Sequence, residues 1–244
     1  MTLSKWQALG NVYLLVEQAE LTPQRVRELC DGVSDGLLQV LSREPAVVRV
    51  WNPDGSLAQM SGNGARIAAA WLARESGVAR VALRVGERDV TATVDGNDVV
   101  LDVGHIEVGE TETLDLGDER LDFTPVSVGN PHAVVRREPE RGELLRLGPR
   151  IERHSRFPER TNVQLVSVDG PHDITVGVWE RGAGETLSSG TSSVAAAAAA
   201  VANGWCENPV NVHLPGGVLL VELDDQRRAR LTGPAEEISR IELV

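Results

Sequence analysis

The chain has 244 residues, 41% apolar and 25% charged, with a formal net charge of −12 from 36 acidic and 24 basic residues. That length suffices for one large domain or two of about 120 residues, and with no basic stripe, nucleic acid and anionic membrane surfaces are not expected partners. No apolar run approaches the ~20 residues that span a bilayer, the opening MTLSKWQALGN lacks a signal-peptide core, and Cys30 and Cys206 suggest no disulfide framework, so a cytoplasmic, reducing setting is expected.

In chain order, the patterning predicts a strand over 12–16, a helix over 23–30 behind a Thr22 cap, a strand over 47–51 and a helix over 65–75. Strands follow over 81–85, 90–94, 99–103, 125–128 and 133–135, then a helix over 143–153 and strands over 163–168 and 174–179. A helix over 192–203, stopped by Gly204, precedes strands over 210–214, 218–223 and 229–231. Strands outnumber helices in both halves, and each half has one Ala-rich helix that a curved sheet could sheathe. The expected class is therefore α+β rather than a βαβ series. The acidic segment 105–120 reads as an inter-domain linker.

The most informative feature is internal. Residues 48–70, VRVWNPDGSLAQMSGNGARIAAA, repeat as residues 176–198, VGVWERGAGETLSSGTSSVAAAA, with eight of 23 positions identical. Each copy runs from an alternating strand through a Gly-rich loop to a Ser-Gly pair, Ser61-Gly62 or Ser189-Gly190, that opens a helix. The repeat predicts two domains, 1–104 with 236–244 and 105–235, whose central helices start near Gly62 and Gly190 and point into one shared cleft. Paired helix N-termini, each with unbonded N–H groups and a positive dipole end, suit a carboxylate. They would also stabilise a carbanion forming alpha to it, because fixed donors need not reorganise as the charge appears. Side chains at the two helix starts would then flank the alpha carbon from opposite faces, as inversion of a stereocentre requires.

Five scattered histidines make no metal-binding motif, and no Gly-rich phosphate loop follows a strand, so neither metal nor other cofactor is expected. The chemistry is instead carried by short polar segments with turn glycines: LGN at 9–11, WNPDGS at 51–56, SGNGAR at 61–66, VGNPH at 128–132, ERTN at 159–162 and ERGAGET at 180–186. In this order, with the closing LPGG at 214–217 and LTGPA at 231–235, the chain resembles end to end the diaminopimelate epimerase family of cofactor-independent racemases and epimerases. That resemblance implies two pseudo-symmetric domains, each a barrel-like sheet around a central helix, and interconversion of LL- and meso-diaminopimelate by alpha-proton removal and return, for lysine and peptidoglycan precursors.

By resemblance, Asn11, Asn52, Asn130 and Asn162 bind or line the distal, non-reacting end of the substrate, and Arg181 pairs with a carboxylate. Gly62, Asn63, Gly190 and Thr191 present N–H groups to the carboxylate at the reacting centre, while His132 and Glu180 are the ionisable neighbours that tune acid and base. The chain departs from the family where the family carries its two catalytic cysteines: Ser61 and Ser189 stand there. It also has Val12-Tyr13 where the family tends to have Asp-Phe, and a shortened CDGVSDGLL stretch.

Three readings of the serines stand open. A natural variant would activate each hydroxyl through His132 or Glu180, as a general base activates serine nucleophiles. A sister isomerase would act on a more acidic C–H, with His132, Asp54 or Glu180 as base. Engineered replacements would trap a ligand, though Ile67, also unlike the family, favours a natural variant. Structural roles stand beside the functional ones: Ser61 and Ser189 as helix caps, His132 and Asp54 as turn residues, the asparagines as loop braces, and Glu180 with Arg181 as an ion pair. The expected ligand is a small amino acid. A homodimer is among the expectations, and a ligand-binding or dimerisation module without activity is the non-enzymatic alternative.

Overall fold

In a computed structural model that describes residues 2–58 and 60–242, the chain forms two compact units, Met1–Asp102 with Thr232–Val244, and Val103–Leu231. The first contains β1 (Thr2–Ala8), β2 (Asn11–Glu17), α1 (Pro23–Cys30), β3 (Gly36–Arg43), β4 (Ala46–Trp51), β5 (Leu57–Ala58), α2 (Gly62–Ser76), β6 (Arg80–Val85) and β7 (Arg88–Asp95), with β8 (Asp98–His105) running across the boundary. The second contains β9 (Glu107–Val108), β10 (Glu112–Asp115), β11 (Arg120–Ser127), β12 (Pro131–Arg136), α3 (Arg141–Glu152), β13 (Asn162–Gly170), β14 (Asp173–Glu180), β15 (Gly184–Thr186), α4 (Gly190–Ala202), β16 (Val210–Leu214) and β17 (Gly217–Leu223). After β18 (Arg228–Pro234), β19 (Glu236–Glu242) returns to the first unit and pairs antiparallel with β1.

The duplication is written in the strand pairing. In the first unit β2 and β3 run parallel across α1, β3, β4 and β5 pair antiparallel, and β4 and β6 run parallel across α2. In the second, β12 and β13 run parallel across α3, β13, β14 and β15 pair antiparallel, and β14 and β16 run parallel across α4. The last strand of the chain closes onto β1 as β9 closes onto β11. This is the racemase-like α+β architecture, each sheet wrapped about one helix.

The sheathed helices explain their composition. Nearly every residue of α2 from Asn63 to Ala73 is buried, and α4 is buried from Ser192 to Ala200, against β1–β3, β6 and β7 in one case and β9, β11–β14, β16 and β17 in the other. A helix enclosed on all sides is apolar all round rather than amphipathic, and alanine lets strands approach from every side. α2 ends where Gly77 adopts the left-handed conformation, φ 71°, that a side chain resists. α1 and α3 lie outside their sheets; α3 contributes Leu144, Leu147 and Ile151 to a second core with Phe123, Leu165 and Trp179.

Two differences from the sequence patterning have physical causes. The segment 105–120 is not a linker: β9 and β10 lie within it, both paired with β11. β1 and β19 were not expected, because TLSKWQA and EEISRIE mix polar and apolar residues irregularly; β1 forms as a hairpin with β2, and its other edge and β19 supply each other's hydrogen bonds.

Candidate active site

The two helix starts differ in detail. Ser61 caps α2: its Oγ accepts the Gly64 N–H at 3.0 Å and lies 2.9 Å from the Tyr13 hydroxyl. Ala65 bonds the Ser61 carbonyl at 2.8 Å, so the N–H groups of Gly62 and Asn63 precede the intrahelical ladder. Ser189 occupies the corresponding place on α4 but its side chain makes no capping bond. Its hydroxyl instead donates to the Glu180 carboxylate at the end of β14. Burial pushes the Glu180 carboxyl above the ordinary carboxylate range, and the Ser189 bond opposes this only in part. The first intrahelical donor of α4 is Ser193, leaving the N–H groups of Gly190 and Thr191 at the open end.

The asparagines are engaged with the protein in two networks. In the first unit a fully buried guanidinium, Arg66, donates from Nη2 to Asn63 Oδ1 at 2.7 Å and from Nε towards the Pro234 carbonyl at 3.4 Å, and Asn63 Nδ2 donates to Asn11 Oδ1. Among the described residues Arg66 Nη1 has no hydrogen-bond partner and no carboxylate pairs with the group; burial draws its pKa down to about 10. In the second unit Asn162 Nδ2 donates to the Pro131 carbonyl and its Oδ1 accepts the Arg181 N–H, both at 3.0 Å. His132 is buried with both ring nitrogens occupied: Gln164 Nε2 donates to Nδ1 at 3.0 Å, leaving the proton on Nε2 for Asn130 Oδ1 at 3.1 Å. His132 thus holds Asn130, and Gln164, also bonded to Ser192 Oγ at 3.0 Å, ties both to α4.

Asn52 and Asp54 belong to a turn. Asp54 Oδ1 accepts the Ser56 N–H at 2.8 Å and the Ser56 hydroxyl at 2.6 Å, and Asn52 Nδ2 donates to the same hydroxyl at 2.9 Å. Asp54 as a base is therefore set aside. So is the Glu180–Arg181 ion pair: Glu180 faces Ser189, and the Arg181 guanidinium meets only the Glu159 carbonyl, at 3.3 Å, with no carboxylate partner among the described residues. A half-buried guanidinium without a counterion is an anion receptor in waiting.

Three residues that sequence reasoning did not single out, Arg66, Glu152 and Gln164, hold this geometry together with Tyr13, noted above only as a departure from the family pattern. Glu152, at the end of α3, accepts the Trp179 indole N–H at 3.0 Å and the Gly182 N–H at 2.7 Å and pairs with Arg160, clamping the loop that presents Glu180 and Arg181. Its only sequence signal is an acidic residue late in a helix, where the dipole disfavours it, so a partner is required. Among the described residues no cluster of His, Cys, Asp and Glu could hold a metal ion, and no helix is long and apolar enough to cross a membrane.

A serine at the start of a sheathed helix in each of two like units, one of them bonded to a buried carboxyl, fits an enzyme of the cofactor-independent racemase and epimerase class. The fold agrees: a predicted epimerase from Pseudomonas aeruginosa is similar at a TM-score of 0.76 and 17% identity, over 100% of this chain and 99% of that one. A probable proline racemase from Agrobacterium radiobacter K84 is similar at 0.70 and 14%, over 100% and 92%. Within that class, the diaminopimelate epimerase model matches residues 3–108 and 124–238, and the diaminopimelate epimerase of Desulfitobacterium hafniense is 37% identical over 269 residues, 96% of this chain and 95% of that protein. The chain belongs to the diaminopimelate epimerase family.

Proposed function

We propose that the protein interconverts LL- and meso-diaminopimelate by removing the alpha proton on one face and returning it on the other, in the cytoplasm, as a step of lysine biosynthesis. The observation that carries the reading is the Glu180–Ser189 hydrogen bond at the start of α4, a carboxyl that burial pushes above the ordinary carboxylate range in contact with a hydroxyl at a helix N-terminus. A serine hydroxyl alone is too weak a base for an alpha proton, but one bonded to such a carboxyl can pass the proton on. In this mechanism Ser61 and Ser189 face the alpha carbon, and Glu180 stores the proton.

The N–H groups of Gly62 and Asn63, with those of Gly190 and Thr191, take the carboxylate at the reacting centre and stabilise the charge that spreads into it. Arg181 takes the distal carboxylate with its planar fork. Asn11, Asn52, Asn130 and Asn162 line the distal end, with His132 acting as a positioning residue that fixes Asn130.

The test is incubation with the LL isomer in heavy water, followed by NMR of the alpha-proton signal. The expected result is loss of that signal with appearance of the meso form, abolished in Glu180→Gln. Tight binding of diaminopimelate with no exchange in the wild-type protein would overturn the reading.

A further inference from the structure

The proposed function gives Ser189 an acidic neighbour but leaves Ser61 without a carboxyl. What Ser61 Oγ touches is the Gly64 N–H, 3.0 Å away, and the Tyr13 hydroxyl, 2.9 Å away. The amide occupies one lone pair of the oxygen, and among the described residues the Tyr13 hydroxyl is the group placed to exchange a proton with it.

Tyr13 is the single tyrosine of the chain. The ring is held in place from β3: a Cβ on Gly36 would come within 2.8 Å of its Cε1, so the glycine makes room for it. The one buried cation of the unit, Arg66, acts on the phenol electrostatically. Of the other charged groups on neighbouring elements, Asp35 is exposed and bonded to the Val12 N–H at 2.7 Å, Lys5 on β1 is half-buried and paired across the strands with Leu14, Arg43 pairs with Glu17 and Glu75, and Arg74 pairs with Glu237.

We propose that Tyr13 is the proton carrier behind Ser61, taking and returning through that hydroxyl the proton exchanged on the second face of the alpha carbon. The proposal rests on the epimerase reading of Ser61. When the substrate carbanion is protonated, the Ser61 O–H bond breaks and a C–H bond forms with the carbanion's electron pair. Ser61 recovers its proton from the Tyr13 phenol, which becomes phenolate. In the reverse direction the phenolate takes the Ser61 proton, Ser61 takes the alpha proton, and the electron pair of the C–H bond stays on the substrate carbon. Glu180 carries the complementary proton, so the enzyme alternates between carboxylate with phenol and carboxyl with phenolate.

Because Tyr13 is the only tyrosine, its ionisation is read directly from the phenolate absorbance difference. Arg66→Met, which removes the buried cation that interacts with the phenol, is expected to shift that transition upward relative to wild type. In Tyr13→Phe, which keeps the ring against Gly36, inversion is expected to fall about 100-fold in kcat at unchanged substrate affinity. Deuterium should still enter one stereoisomer through Ser189 and Glu180 with retention, a signature that a packing defect would not produce. An unshifted phenolate transition in Arg66→Met, or inversion in Tyr13→Phe within about threefold of an active wild type, overturns the Tyr13 proposal alone. Absence of exchange in the wild type overturns the epimerase reading beneath it.

Discussion

Arg66→Met separates what the buried guanidinium does for stability from what it does for the site. Arg66 is fully buried and has no carboxylate partner among the described residues, and burial draws its pKa from the ordinary guanidinium range down to about 10, which corresponds to about 3 kcal/mol against the charged form. Because this is a base whose folded value is depressed, the penalty is complete below about pH 10 and shrinks only as pH rises from there towards the ordinary guanidinium range. Measurements at pH 7 to 8 therefore see all of it. Methionine removes that penalty and adds about 1 kcal/mol of apolar burial. Against this, Asn63 Oδ1 and the Pro234 carbonyl each lose a donor, at about 1–3 kcal/mol apiece.

The opposing effects nearly cancel. The net change should stay within about 2 kcal/mol, unlike the 3–5 kcal/mol expected when one partner of a buried ion pair is removed. For a chain of this size that is a Tm shift of no more than about 8 °C by calorimetry. Alpha-proton exchange should fall at least about tenfold, since Asn63 and Asn11 lose the contact that orients them. A Tm loss beyond about 12 °C would refute the reasoning by showing that Arg66 is a structural anchor. So would exchange at the wild-type rate, which would show that its network does not touch the site.

Ser61→Cys with Ser189→Cys should raise alpha-proton exchange by orders of magnitude, because a thiol supplies thiolate near neutral pH; a double variant no faster than an active wild type would mean the serines are not where the proton moves. Arg181→Lys keeps the charge but loses the planar fork, so calorimetric titration should show weaker diaminopimelate binding, and unchanged affinity would remove Arg181 from the site. Burial raises the Glu152 carboxyl, but hydrogen bonds from Trp179, Gly182 and Arg160 outweigh it and hold the group below its usual 4.5. Its contribution is therefore present above that value and lost as pH falls through the lower folded value. Hydrogen exchange across residues 179–186 should accelerate in that acid range, and in Glu152→Gln at neutral pH; equal protection in wild type and variant would show that the clamp does not order the loop.

How much of this was legible in the chain follows from the range of each interaction. Helix α1 was readable to the residue because its signals, the Thr22 cap and Pro23 at the first turn, lie within a few positions of one another. The starts of α2 and α4 were readable because the Ser-Gly pair recurs, and a repeat states twice what one copy states weakly. Ordered polar motifs carried the family and named the loops of the site. Strand β19, by contrast, depends on hydrogen bonds to β1, more than two hundred positions away, which no local pattern records.

The same limit governs the site. Ser61 and Ser189 are alike in sequence, and only packing distinguishes them: Gly36 admits the Tyr13 ring beside one, and the end of β14 buries Glu180 beside the other. Glu180 and Arg181, adjacent and opposite in charge, read as a natural pair. The strand end turns the carboxyl inward and leaves the guanidinium at the Glu159 carbonyl, because successive residues of an extended chain point to opposite faces. Residue identities and their spacing thus determined the family, the two-fold plan and the list of polar loops. Which proton each group holds was decided by burial and by neighbours distant in sequence, since desolvation and hydrogen bonding depend on what the fold brings within a few ångströms.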